Sequence, residues 1–360
     1  MRLSFCLLLS VALGTTPSPS EGLVVSAAAE SPTTTSTGDP SEFSIPDGMT
    51  EFVATDGVTL AYRSWPAEKP RGMMYVVHGM AEHSGRYADF AVELARDLGL
   101  TVIGIDQRAH GLTAGAALGV FAKGDHHHSD AISVMGHDIL ELISVTNKNQ
   151  LPVILFGHSM GSVIARSAMK QAGSGIAKLI KGLVLSGVPT GPHWLELYPV
   201  RMAGEVVKRT GVGHDLIQRA YTKLWFDQPV RTKLSDGSLP DNCFVSSDPE
   251  ECRIFTRDPL TNHLVDPEIL VSVALNLREL ERATSFGSRD IPVLFVTGRD
   301  DPVARFGATA RADADRMIKA GHHVSEIYLS GARHEFLHEK ERVRREGVGL
   351  VKAWIFSQLL

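Results

Sequence analysis

Short apolar runs alternate with segments of helical spacing along most of this chain. The apolar runs, which are rich in β-branched and aliphatic residues, cover 73–77, 100–105, 153–156, 182–185, 293–296 and 326–329. The helical segments cover 87–98, 132–146, 162–171, 304–320 and 341–358. Continuous apolar runs are typical of parallel strands that are buried on both faces. The alternation predicts an α/β fold of the doubly wound type, with a mostly parallel central sheet flanked by helices.

Two regions interrupt this pattern. Residues 52–55 and 58–63 are β-prone runs joined by a turn at Asp56 and Gly57, which predicts a hairpin before the first parallel strand. Residues 188–289 contain no clear strand but carry several helical patterns, such as 194–209 and 216–225. We interpret 188–289 as a helical cap inserted between two late strands, and 43–187 together with 290–360 as the core domain.

The N-terminal segment differs in composition from the rest of the chain. Arg2 precedes an apolar run at 3–13, and small and polar residues follow it. This order is typical of a secretory signal peptide, and the run is too short for a transmembrane helix, which needs about 20 apolar residues. We therefore predict a signal peptide at 1–20 and a disordered linker, rich in Ser, Thr, Pro and Ala, at 21–42. The expected location is secreted or lumenal, with organelle targeting as the alternative.

Charge bears on the partners of the chain, and cysteine content bears on its disulfides. The formal net charge is −5 over 360 residues and Lys and Arg are scattered, so no nucleic-acid partner is expected. Apart from Cys6 in the predicted signal peptide, the chain has only Cys243 and Cys252. An oxidising compartment would allow these two cysteines to form a local disulfide, and two free thiols are the alternative.

The pentapeptide Gly-His-Ser-Met-Gly at 157–161 is the strongest local signal for chemistry. It follows the apolar run 153–156 and precedes a helical segment, which is the context of a nucleophile turn between a strand and a helix. The two glycines remove side chains where the backbone passes close to its neighbours, and the strained turn exposes the hydroxyl of Ser159. We predict that Ser159 is a catalytic nucleophile and that the side chain of His158 points away from it.

A serine nucleophile needs a base to take its proton and a carboxylate to orient that base. For a nucleophile turn of this kind, the order along the chain is serine, acid, histidine. Asp300 and Asp301 follow the apolar run 293–296, and His334 follows the run 326–329. His334 is therefore the predicted base, and we favour Asp301 over Asp300 as the acid.

Main-chain N–H groups are expected to stabilise the oxyanion of the transition state. Met80 follows the strand end at 76–79, where a loop can donate one such N–H group. Met160 directly follows the nucleophile and would supply the second donor. Since both donors belong to the main chain, their side chains are little constrained.

Four motifs together resemble the monoglyceride lipase and lysophospholipase branch of the α/β-hydrolases, which carries a domain of the serine aminopeptidase S33 type. They lie at 78–87 (HGMAEHSGRY), 106–111 (DQRAHG), 157–161 and 331–335 (GARHE). The resemblance extends over about residues 50–357 and implies the α/β-hydrolase fold. In this branch the triad acid is the fourth residue of a Gly-X-X-Asp-X-Val stretch, which here selects Asp301.

Two residues depart from the pattern of this branch. Ala109 stands where the family usually has glycine, and its methyl group should be tolerated if the backbone φ angle is negative. Ser162 replaces a second glycine that is common in monoglyceride lipases, although lysophospholipase-like members often carry serine. These departures bear more on the substrate than on the fold.

The resemblance implies a serine carboxylic ester hydrolase that cleaves monoacylglycerol or lysophospholipid through an acyl-enzyme. No organic cofactor and no metal are expected, and the histidines at 126–128 do not change this, because consecutive histidines cannot all face one ion. The expected partner is a small lipid ester. Aromatic and aliphatic residues of the cap could contact membrane lipid or instead form a helical core, and the oligomeric state is not indicated.

Two other functions fit the same motifs. An aminopeptidase or amidase of the same fold would use the same triad, and Glu250 and Glu251 could then hold a free amino terminus, although a solvated turn explains them as well. A non-catalytic binding protein could keep the fold, but an intact serine, acid and histidine argue against that function. A transacylase would have the same sequence features as a hydrolase.

Overall fold

One mixed sheet forms the centre of the molecule. The computed structural model describes residues 49–122, 124, 130–189, 244–282 and 289–359. Within them the strands are β1 (Met49–Val53), β2 (Thr59–Trp65), β3 (Gly72–Val77), β4 (Leu100–Ile105), β5 (Val153–His158), β6 (Ile180–Ser186), β7 (Val293–Gly298) and β8 (Val324–Leu329). Their order across the sheet is β1-β2-β4-β3-β5-β6-β7-β8. The hairpin of β1 and β2 is antiparallel, as is the β2–β4 pair, and all pairs from β4 to β8 are parallel. The predicted hairpin and mostly parallel sheet are confirmed.

Helices connect the strands and cover the sheet. In the described residues they are α1 (Ala88–Leu98), α2 (Gly111–Ala114), α3 (Ala131–Thr146), α4 (Met160–Gln171), α5 (Ser174–Leu179), α6 (Pro249–Arg257), α7 (Pro267–Arg282), α8 (Ala308–Lys319) and α9 (Glu341–Leu359). The helix predicted from residue 304 begins only at Ala308, because Arg305, Phe306 and Gly307 all have positive φ angles. None of the helices described is both long enough and apolar enough to cross a membrane.

Apolar side chains cover both faces of the sheet. Successive residues of β5 alternate between two hydrophobic clusters, with Leu155 in one and Phe156 in the other. Val163 of α4 packs in the first cluster, whereas Phe90 of α1 and Val351 of α9 pack in the second. Helices on both faces of a parallel sheet leave the carboxyl ends of its strands uncovered at one end of the sheet. Ligands of such folds bind at this end.

β8 differs from the other parallel strands in its exposure. The sequence predicts a strand buried on both faces, but only Leu329 of β8 is fully buried. Among the described strands, β8 is the last of the sheet and pairs with β7 alone. Its outer edge and part of its surface therefore remain accessible, which explains polar residues such as Ser325 and Glu326.

The described part of the predicted cap is helical. α7 packs against the core, since Ile269 and Leu277 belong to the same hydrophobic cluster as Val163. Asn276 of this helix also donates a hydrogen bond of 2.9 Å to Asp130, the residue that caps α3. Several predicted features lie outside the described residues: the signal peptide, the linker, the helical patterns at 194–209 and 216–225, the histidines at 126–128, and Cys243.

Ala109 adopts a left-handed backbone conformation. Its φ angle is 70°, so the negative φ under which its methyl group would be tolerated does not occur. The residue is buried, and its carbonyl oxygen accepts a hydrogen bond of 2.7 Å from Gly119. The left-handed conformation costs a residue with a Cβ atom about 1–2 kcal/mol. Surrounding contacts therefore hold Ala109 in a strained turn.

Replacement of Ala109 by Gly should stabilise the protein. Relief of the strain is partly offset by the greater freedom of glycine in the unfolded chain, so we expect a gain of about 1 kcal/mol in the free energy of unfolding. Chemical denaturation of the full chain measures this gain. Ala314→Gly, in the middle of α8, should have the opposite effect, because glycine destabilises a helix interior by about 0.5–1 kcal/mol. Equal losses for both variants would contradict the strained turn.

Candidate active site

Ser159 lies in the sharp turn between β5 and α4. Its φ and ψ angles are 52° and −120°, a combination that residues with a side chain rarely adopt. Its N–H group donates a hydrogen bond of 2.9 Å to the carbonyl oxygen of Ser186 at the end of β6. A Cβ atom at Gly161 would overlap the carbonyl oxygen of Val77, and one at Gly157 would overlap the backbone of Gly161. Close backbone packing therefore requires both glycines and fixes the position of Ser159.

Asp301 and His334 form a buried pair after the last two strands. Nδ1 of His334 lies 2.9 Å from Oδ2 of Asp301. The second carboxylate oxygen, Oδ1, accepts the N–H groups of Val303 at 2.8 Å and Ala304 at 3.2 Å. Asp300, in contrast, is exposed. The structure thus places Asp301, and not Asp300, against the predicted base.

The environment of His334 sets its basicity. Burial alone lowers the pKa of His334, but the charge of Asp301 and the hydrogen bond to it outweigh burial, so the pKa lies above the usual 6.5. A hydrogen bond from Nδ1 to the carboxylate fixes the tautomer in which Nε2 is free to accept a proton. The pair therefore has the arrangement of an oriented general base.

The ring of His158 packs against the ring of His334, with their centroids 4.8 Å apart. Burial, together with the nearby His334, lowers the pKa of His158 to about 4. His158 is therefore neutral near pH 7 and adds no positive charge beside the base. The sequence predicts only that His158 points away from the Ser159 side chain. Its contact with His334 depends on the pairing of distant strands, which no local motif reveals.

The loop that carries Met80 lies beside the nucleophile turn. A Cβ atom at Gly79 would lie 3.2 Å from the Cβ atom of Ser159. Met80 is half-buried, and Met160 is the first residue of α4, where N–H groups have no partner within the helix. The structure thus places the loop of Met80 beside Ser159, and Met160 directly after it.

Cap residues contact both loops of this site. The N–H group of Asn262 donates to the carbonyl oxygen of Ala81 at 2.9 Å, next to Met80. The N–H group of His334 donates to the carbonyl oxygen of Phe244 at 3.3 Å, and the rings of these two residues are 6.2 Å apart. The described residues of the predicted cap therefore contact the site on two sides, at the Met80 loop and at the His334 loop.

A buried ion network joins the Met80 loop to the His334 loop. Arg86 forms ion pairs with Glu82 at 2.9 Å and with Glu335 at 2.6 Å. Glu82 also accepts the N–H group of Gly79 and the hydroxyl group of Tyr87. No role was predicted for these charged residues from the sequence. Their positions within the motifs at 78–87 and 331–335 were the sequence feature that could have indicated a role at the site.

The electrostatics of this network favour an ion pair over a metal site. Ligand atoms of Glu82, His158 and Glu335 lie within 4.8 Å of one another, as donors for an ion would. Burial raises the pKa of both carboxyl groups, but Arg86 outweighs burial and holds both pKa values below their usual range. The guanidinium group of Arg86 already supplies the positive charge that these carboxylates need.

Fold and site together define a serine hydrolase with the α/β-hydrolase fold. The chain belongs to the serine aminopeptidase S33 family, which matches residues 68–341. Over 314 residues the chain is 28% identical to a monoacylglycerol lipase of Mycolicibacterium smegmatis, and the match covers 86% of this chain and 96% of the relative.

Solved structures show the same fold. The chain superposes on a thermostable carboxyl esterase from Bacillus coagulans, determined in complex with glycerol, with a TM-score of 0.71 and 24% identity over 87% of this chain and 98% of the other. A soluble variant of the monoglyceride lipase from Saccharomyces cerevisiae gives a TM-score of 0.64 and 19% identity, and covers 88% of this chain and 97% of the other.

Replacement of Asp301 by Asn should lower kcat by about ten-thousand-fold, because the amide no longer holds His334 in the required tautomer. Asp300→Asn alters only an exposed side chain and should change kcat by no more than about twofold. Hydrolysis of a chromogenic ester by the two purified variants measures both effects. A larger loss for Asp300→Asn than for Asp301→Asn would contradict the assignment of the acid.

The pH dependence of the same reaction tests His334. Since the neutral imidazole accepts the proton, kcat/KM should fall as the pH decreases through the raised pKa of His334, at a pH above 6.5. Asp301→Asn removes the charge that raises this pKa, so the residual activity should persist to lower pH. A profile that does not move in the variant would contradict the link between the two residues.

Replacement of Arg86 by Met should lower the free energy of unfolding by about 3–5 kcal/mol, because Glu82 and Glu335 lose their buried partner. Arg96→Met removes an exposed ion pair with Asp97 and should cost less than about 1 kcal/mol. Urea denaturation at pH 7 compares the variants. The carboxylates with lowered pKa values contribute stability above the unfolded pKa of about 4.3 and lose it in acid, so the effect of Arg86→Met should shrink as the pH falls.

Proposed function

We propose that this protein hydrolyses carboxylic esters of lipids, with monoacylglycerol or lysophospholipid as the substrate class. The observation that carries the proposal is the buried pair of His334 and Asp301. This pair lies at the same carboxyl end of the sheet as the strained turn of Ser159. The name of the M. smegmatis relative, a monoacylglycerol lipase that aligns over 96% of its length, supports the substrate class.

The proposed reaction begins with attack of Ser159 Oγ on the ester carbonyl carbon. Nε2 of His334 takes the hydroxyl proton, and the N–H groups of Met80 and Met160 stabilise the oxyanion. Collapse of the tetrahedral intermediate breaks the ester bond, and His334 returns the proton to the leaving alcohol oxygen. An acyl-enzyme remains on Ser159.

Water completes the cycle in the second half of the reaction. His334 deprotonates a water molecule as it attacks the acyl carbonyl carbon. Collapse of the second intermediate then breaks the bond to Ser159 Oγ, His334 returns the proton to that oxygen, and the fatty acid leaves. Asp301 stabilises the imidazolium ion that forms in each half. If an alcohol replaced water, the same residues would transfer the acyl group, so the acceptor must be measured.

An assay of fatty-acid release tests this proposal. The full chain and its Ser159→Ala variant are incubated with monoacylglycerol, lysophosphatidylcholine, triacylglycerol and aminoacyl amides. Ser167→Ala, which removes another buried hydroxyl of α4, serves as the matched control. We expect release from monoacylglycerol or lysophosphatidylcholine that Ser159→Ala reduces by at least about a thousandfold and Ser167→Ala retains.

The other outcomes separate the alternatives. Cleavage of the aminoacyl amides alone would replace the lipid-esterase proposal with the aminopeptidase function for which the family is named. Absence of cleavage, together with absence of Ser159 labelling by a fluorophosphonate, would indicate a binding protein without catalysis.

A further inference from the structure

Ser162 makes two hydrogen bonds to the backbone of the proposed nucleophile. It is completely buried, and its hydroxyl group donates a hydrogen bond of 2.7 Å to the carbonyl oxygen of Ser159. The N–H group of Ser162 donates to the same oxygen at 2.9 Å. One residue therefore provides two donors to one carbonyl group. A glycine at this position, as is common in monoglyceride lipases, would supply only the second.

The carbonyl group held in this way belongs to the peptide unit that joins Ser159 to Met160. A trans peptide unit is planar, so its C=O and N–H groups point in opposite directions. When Ser162 holds the C=O group on the helix side, the N–H group of Met160 must point away from the helix. Met160 is also the first residue of α4, so its N–H group has no partner within the helix.

We propose that Ser162 is a positioning residue that orients the Met160 N–H group toward the oxyanion. The inference rests on the proposed function, because it concerns the same reaction at the same serine. A second donor restricts rotation of the peptide unit more than the backbone hydrogen bond alone. The oxyanion donor is therefore oriented before the substrate binds, and such preorganisation is the main source of its effect on the rate.

A buried arginine also contacts the backbone of Ser162. Nε of Arg166 donates to the carbonyl oxygen of Ser162 at 3.1 Å, and Nη1 forms an ion pair of 2.8 Å with Asp313 of α8. Arg166 is fully buried, and Asp313 is nearly so. Since a buried charge is stable only when it is paired, Arg166 has little freedom to move. A continuous series of contacts thus runs from α8 through Ser162 to the nucleophile turn.

Ser162→Ala in the full chain tests the inference. Alanine keeps the Cβ atom and the helix but removes the hydroxyl donor. We expect kcat for a soluble ester and the rate of Ser159 labelling by a fluorophosphonate to fall by about three- to tenfold, the effect of losing one hydrogen bond. KM should remain within about twofold. The inhibition constant of a trifluoromethyl ketone, which forms a tetrahedral adduct with an oxyanion, should rise by the same factor as kcat/KM falls.

Two further variants make the result decisive. Ser162→Gly also lacks the hydroxyl and should show the same loss of kcat. Ser167→Ala removes a hydroxyl of the same helix that accepts a bond from Gln171, so it should leave kcat and the labelling rate unchanged.

The outcomes distinguish the inference from its premise. If Ser162→Ala lowers only the melting temperature and leaves kcat, the labelling rate and ketone affinity unchanged well below that temperature, the positioning role is wrong. If the unaltered protein is not labelled at Ser159 and cleaves no ester, the proposed function fails and the inference fails with it. Normal labelling of the unaltered protein with equal labelling of Ser162→Ala overturns the inference alone.

Discussion

The approach of α4 to β3 at backbone contact distance is the constraint on which the site depends. Gly161 passes so close to Val77 that no side chain fits between them, and Gly157 is confined in the same way by the first turn of the helix. Because α4 packs so close to β3, the chain must reverse direction within one residue between β5 and α4. That residue is Ser159, and its strained φ angle is the result. The hydroxyl group of Ser159 and the first N–H groups of α4 consequently share one turn.

Buried charges hold the loops that surround this turn. Arg86 joins the Met80 loop to the His334 loop, and Arg166 joins α4 to α8. Arg108, which is also fully buried, pairs with Asp56 and Asp138 beside the hairpin. Each guanidinium group bridges segments that are far apart in sequence. Since loss of one partner leaves an uncompensated buried charge, each pair permits little variation in the relative position of its loops.

Local patterns in the sequence predicted the strands and turns whose conformation depends on neighbouring residues in the chain. Continuous apolar runs identified the parallel strands, and glycine spacing identified the turn at Ser159. Asp300 and Asp301 were harder to separate, because both follow the same strand. The family motif selected Asp301, and the structure shows that its carboxylate faces His334 and accepts two backbone N–H groups.

Features that depend on the order of strands were not predictable in this way. The contact between His158 and His334, the bridge from Arg86 to Glu335 and the exposed edge of β8 all require knowledge of which strands are neighbours. The left-handed conformation of Ala109 was missed for a different reason. Alanine carries no local signal for a positive φ angle, and the neighbouring contacts impose it.

The order of the strands also determines when the proposed active site can be completed during synthesis. Ser159 follows a central strand, whereas Asp301 and His334 follow the last two strands of the sheet. A chain that grows from its N-terminus therefore exposes the nucleophile turn long before it contains a base. Until β8 pairs with β7, the proposed base His334 is not placed at the site. In the proposed reaction, incomplete chains and products truncated before β8 thus lack the general base, and hydrolysis requires the complete sheet.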